Sequence, residues 1–178
     1  MKELLMRLKL IDRMTTTLEI SRVDFLSGLS EITDEASTGM MSVAFDVFSS
    51  SKSEFKGHIG LNSFEIRRRR RVFDTNLSFA VASGTFNESN GQLVVETEVN
   101  GFNNFFIFFY VCLVVFYLIF LGELFSGDTK DGIIVIPILL LHATFMFAMP
   151  YLIMRRGVKR LKYELEREFF YLTKSKKI

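Results

Sequence analysis

The sequence predicts an α+β membrane protein: a small antiparallel β domain, a two-helix transmembrane hairpin and a C-terminal amphipathic helix. Three observations predict it. Residues 101–122 and 132–154 are apolar and hold no Asp, Glu, Lys or Arg. Between residues 54 and 99, short alternating segments follow one another with tight turns, Asn90-Gly91 among them. Beyond Arg155 and Arg156, the apolar residues Val158, Leu161, Leu165, Phe169 and Leu172 recur at helical spacing. The expected divisions are 1–100 for the β domain with one short helix, 101–154 for the hairpin and 155–178 for the basic helix and tail.

Residues 1–13 mix charged with single apolar side chains and contain no apolar run, so no cleavable leader is expected and the apolar stretches direct insertion. Residues 14–20 are rich in β-branched side chains and alternate, which predicts a strand. Ser21 stands as an N-cap with Asp24 three positions on, ahead of a helix to about Thr33. Residues 34–39 read as a loop, 40–48 as a strand and 49–53 as a break.

Strands follow at 54–59, at 63 to about 72, at 77–86 and at 92–99, with turns at 61–62 and 87–90. Five or six antiparallel strands are therefore expected.

The charge-free interval from residue 99 to 122 is 24 residues long. As a helix it reaches roughly 36 Å, enough for a hydrocarbon core of about 30 Å. The second interval has 23 residues, from 132 to 154. A domain of about 100 residues could not cover two helices apolar on every side. Pro137 and Pro150 are tolerated where neighbouring groups repair the lost hydrogen bonds. Cys112 lies inside the first interval as a packing residue, and a single cysteine excludes an intrachain disulfide.

The formal net charge is only +2, but its distribution is informative. Residues 155–178 carry nine basic side chains against Glu164, Glu166 and Glu168, whereas residues 123–131 carry Lys130 against Glu123, Asp128 and Asp131. The positive-inside rule then puts both termini in the cytoplasm and the short loop outside, in an inner (plasma) membrane. In the tail, Arg160 with Glu164 and Lys162 with Glu166 are spaced to pair along the helix.

Five consecutive arginines, Arg67, Arg68, Arg69, Arg70 and Arg71, lie toward the end of the strand segment that begins at residue 63. Arginine on both faces of a strand should not be buried, so the strand is expected to leave its sheet there. With Arg155 and Arg156 they are candidates to bind anionic headgroups or an acidic protein partner; a plainer role is a solvated edge. No aromatic residue is interleaved to stack bases, so nucleic acid is not expected as a partner.

His58 should face solvent. His142, with Thr144 nearby, lies near the middle of the second apolar stretch and is a candidate intramembrane polar contact. Asn103 and Asn104 are expected to anchor the first span at the interface. No phosphate loop, metal-ligand spacing or catalytic triad is present in the sequence, so no enzyme activity, cofactor, metal or small-molecule substrate is expected.

The segments FKGHIGLNSFEIRR and SFAVASGTFNESNGQLVVETEV, followed by the Phe-rich stretch, resemble a group of small bacterial membrane proteins. That group pairs a YcxB-like, bacterial PH-like β domain with a two-helix transmembrane hairpin. Phe55, Gly57, Phe64, Ile66, Arg67, Gly84 and residues 91–99 carry the likeness, which spans about residues 54–172. The chain departs from the pattern in lacking a proline between the strands and in its longer arginine run. The resemblance implies the fold and no activity. The expected function is that of a non-catalytic accessory subunit or scaffold, holding a β domain against the inner leaflet for a protein partner or a second copy. The alternatives are an anionic-lipid sensor using the arginine run, or a component of an oligomeric channel or transporter.

Overall fold

A computed structural model describes residues 2–39, 53–70, 78–89, 91–126 and 132–175. The chain divides into two compact units, Met1–Phe102 with Met154–Ile178, and Asn103–Ile153.

The first unit is α+β. Among the described residues it holds helix α1 (Lys2–Arg7), strand β1 (Ile11–Leu18), helix α2 (Arg22–Ile32) and strands β2 (Thr33–Glu35), β3 (Phe55–Ile59), β4 (Ser63–Arg68), β5 (Val81–Ser89) and β6 (Gln92–Asn100). They form one sheet in the order β1-β6-β5-β4-β3-β2. Strands β3 to β6 make an antiparallel meander, and β1 closes the far side of β6. Strand β2 pairs parallel to β3, which corrects the expectation of a wholly antiparallel sheet; it also takes residues 34 and 35 from the expected loop, leaving 36–39 outside helix and strand.

Strand β5 also reaches Ser89, so residues 87–89 belong to the sheet rather than to a turn. Ser89 pairs with Gln92, and Gly91 between them has φ 76°. That backbone region costs a residue with a Cβ about 1 kcal/mol. The strand expected at 40–48 lies outside the described residues.

Alternation gives the sheet one apolar face. Leu93, Val95 and Val99 of β6, Ala82 and Phe86 of β5, and Phe64 and Ile66 of β4 are all buried there. Phe25 and Leu29 of α2 pack on this face, as do Val158, Leu161, Leu165 and Phe169 of the C-terminal helix. Ser21 caps α2 by accepting the Asp24 N–H at 3.2 Å. Residues 154–178 therefore belong to the same compact unit as the strands.

The open edge of β1 is guarded. Gly101 donates its N–H to the Leu10 carbonyl at 2.9 Å, so the odd-numbered residues of β1 turn their amides outward. The Arg13 N–H is met by the Asp12 carboxylate at 2.8 Å, and its carbonyl by the Lys162 ammonium at 3.4 Å. Charged groups at an edge strand oppose pairing with another chain.

The second unit holds one whole helix and the first part of another. Helix α3 runs Asn104–Ser126. Helix α4 runs Gly132–Ser175, with Pro137 and Pro150 inside it. The second apolar stretch and the amphipathic segment are thus one helix, not two elements joined at Arg155-Arg156. Good helix formers fill residues 158–174, and the single Gly157 costs only about 1 kcal/mol. Asn103 caps α3, its side-chain oxygen accepting the Phe105 N–H at 3.2 Å.

Both helices are long and apolar enough to cross a membrane.

Candidate functional site

The arginine run does not leave the sheet as expected. Arg67 is buried, at 2% exposure, and Arg69 at 6%. Arg68 and Arg70 are half-buried, and Arg71 lies outside the described residues. Strand β4 does end at Arg68, but Arg68 and Arg69 turn toward carboxylates. Arg68 forms an ion pair with Glu164 of α4, which also accepts from Arg160 at 2.9 Å. Arg69 lies 3.9 Å from Asp34 of β2. A buried guanidinium is tolerable when charge-assisted bonds replace its water. Arg68 and Arg69 therefore tie this segment to α4 and β2.

Of the two residues expected at the candidate intramembrane contact, His142 reaches across to the other helix and Thr144 does not. His142 Nδ1 lies 2.8 Å from the hydroxyl of Tyr117 on α3. Thr144 instead donates to the Leu140 carbonyl one turn back in its own helix, at 2.8 Å. Tyr110 stacks on Phe147 with centroids 5.7 Å apart, and its hydroxyl donates to the Phe147 carbonyl at 3.3 Å. The pairs 110/147 and 117/142 run in opposite chain directions, as an antiparallel hairpin requires. Tyr117 was missed because it reads as one more aromatic in a Phe-rich stretch; its hydroxyl was the available signal.

An apolar groove of about 240 Å³ opens beside this contact, lined by Val114, Leu121, Leu139, Ala143 and Phe147 among others.

Neither a protein-family model, nor a curated protein, nor a solved structure matches this chain. Function must therefore be argued from its own surfaces.

The polar face of the sheet carries Thr15, Glu65, Ser83, Thr85, Glu96 and Glu98 around an open bowl of about 830 Å³. His58 is exposed there, as expected, with Nδ1 2.7 Å from the Glu35 carboxylate. Among the described residues, no three His, Cys, Asp or Glu side chains gather as a metal site.

Glu98 accepts from Lys2 and Arg13, each at 2.9 Å. Burial pushes its carboxyl up, but the hydrogen bonds and charges of Lys2 and Arg13 outweigh burial and hold it below the ordinary value of 4.5. A carboxyl depressed on folding contributes stability above its unfolded pKa and loses it as pH falls through the folded one. Glu98→Gln is therefore expected to lower stability at neutral pH and to flatten its decline below about pH 4.5. Urea midpoints measured from pH 7 to pH 3 check this; parallel curves for the two proteins would refute it.

Arg155 and Arg156 are exposed on α4, as are Lys159 and Lys174. Lys162 turns to Asp12 of β1 at 2.9 Å rather than to Glu166, correcting the pairing expected along the helix. The accessible cationic surface of the first unit includes this side of α4, whereas Arg67 and Arg69 are withdrawn from solvent.

Proposed function

We propose that the chain is a two-span protein of an inner (plasma) membrane, with both termini cytoplasmic, acting without catalysis as an accessory subunit or scaffold for a protein partner. The observation that carries this reading is the unsatisfied apolar surface of the Asn103–Ile153 unit. Phe108, Leu118, Ile138 and Phe145 stand well exposed on its helices, and Leu141 is 74% exposed. Burying each such side chain is worth about 1.5–3 kcal/mol, so the pair favours an apolar medium over water. The other unit has its own aromatic and aliphatic core, which suits a domain whose task is to be displayed and bound.

The likeness to YcxB-like, bacterial PH-like proteins belongs to this reading and adds no activity to it. A lipid-sensing role for the arginine run draws no support from Arg68 and Arg69, which lie against carboxylates, or from Arg67, which is buried.

Alkaline carbonate treatment of native membranes tests the anchor: the protein is expected in the pellet, and release to the supernatant would overturn the reading. In a Cys112→Ala background, Glu88→Cys should react with an impermeant maleimide only after lysis, and Thr129→Cys in intact cells. The reverse pattern would invert the topology. Purification in mild detergent is expected to yield a complex larger than one chain, and a bare monomer would remove the scaffold role.

A further inference from the structure

Helix α4 has a second ordered side. Its apolar stripe is consumed by the sheet, with Leu161 1% exposed and Leu165 and Phe169 fully buried. On the opposite side, Arg156, Tyr163 and Phe170 recur every seven residues, and Lys159 and Lys174 flank the same line. Tyr163 is 65% exposed and Phe170 62%. Glu166 is the one acidic side chain near that line. Large aromatics held in solvent at a two-turn interval, with cations beside them, are not needed by the core.

We propose that this line is a docking stripe for an acidic amphipathic helix of a protein partner, a proposal that rests on the scaffold reading above. Two aromatic anchors seven residues apart fit the spacing at which one helix seats its side chains against another. Exposed aromatics of this kind dominate binding energy once covered. Arg156, Lys159 and Lys174 then demand carboxylates along the edges of the incoming helix. A second copy of the same stripe would set cation against cation. A bilayer surface wants a broad apolar face to insert, and α4 has already committed that face to the sheet.

The test uses the full chain in nanodiscs of zwitterionic lipid. The probe is a synthetic helix of about three heptads with Leu at the a and d positions and Glu at the e and g positions. Fluorescence anisotropy is expected to show saturable binding. Tyr163→Ala with Phe170→Ala should weaken it roughly tenfold or more, and Lys159→Glu with Lys174→Glu should abolish it. All four side chains are exposed, so the variants should keep the wild-type Tm.

A scrambled peptide of equal charge should bind at least about tenfold more weakly. Equal binding of the scrambled peptide, or unchanged affinity of the aromatic variant, would overturn the proposal. So would a blue shift of an environment-sensitive dye at Tyr163→Cys, in a Cys112→Ala background, on exchanging zwitterionic for anionic lipid without peptide. That shift would place the stripe on headgroups. Failure of the unsubstituted protein to bind the peptide, while it still pellets from carbonate and purifies as a complex, sinks the stripe alone. Release by carbonate, or a bare monomer, sinks the underlying reading.

Discussion

Gly57→Ala is expected to lower the Tm by about 10 °C or more, the largest effect of any glycine-to-alanine change among the described residues. A Cβ at position 57 would meet the Glu65 carbonyl oxygen at 2.0 Å and the Ile66 Cα at 2.6 Å. Both are backbone atoms of β4, so no rotamer change relieves the clash. The β3–β4 pair has to open instead, and β3 also carries β2, because Ala36 donates its N–H to the Gly57 carbonyl at 3.0 Å.

Overpacking that side chains can absorb costs about 1–3 kcal/mol; here the cost should reach the top of that range or exceed it. A domain is stable by only about 5–15 kcal/mol in total, so the loss is a large fraction. Gly91→Ala makes the contrast: nothing lies within 4 Å of its added Cβ, and only the positive φ is penalised, at about 1 kcal/mol. Thermal unfolding followed by circular dichroism compares the two. Equal Tm values would mean that β3 and β4 do not approach as closely as this.

The same glycine shows what could be read in the sequence and what could not. Alternation made β3 to β6 legible because the sheet has one apolar and one polar face, so Leu93, Val95 and Val99 announce their side. The stripe from Val158 to Leu172 was legible for the same reason at the helical period. Strand β2 was not: Thr33, Asp34 and Glu35 are too few to show a period, and they join the sheet only through parallel pairing with β3.

The arginine run was misjudged because its partners are distant. Glu164 lies 96 residues beyond Arg68, and no local rule brings them together. Lys162 chose Asp12, 150 residues away, over the neighbour four positions on. Residues 87–89 read as a turn in the sequence because three polar residues carry no apolar signal, although the hairpin extends through them. Periodicity reports which face is buried; it does not report which charge finds which.

Phe169→Ala is expected to be the most damaging truncation on α4. The ring is fully buried, with its centroid 5.5 Å from Phe25 of α2 and 6.2 Å from Phe64 of β4. Phe25 also meets Phe86 of β5 at 5.3 Å, so one cluster of rings joins both helices to the sheet. Removing a buried phenylalanine costs about 3–5 kcal/mol, transfer and cavity together. Phe169→Leu fills most of the space and should cost about 1.5 kcal/mol or less.

The measurement is thiol reactivity in a Cys112→Ala background. Leu165→Cys should stay unreactive in an otherwise intact core and become reactive when combined with Phe169→Ala, whereas Tyr163→Cys should react in both. Ready labelling of Leu165→Cys alone would mean that the stripe is not packed on the sheet, and a helix lying on lipid would then be the better description. Because Phe169 packs in the core of the first unit, its loss is expected to act on the folded domain and to leave the charge-free part of α4 unaltered. A variant that is labelled at Leu165→Cys yet still pellets from carbonate would show that anchorage and domain stability are separable properties carried by one helix.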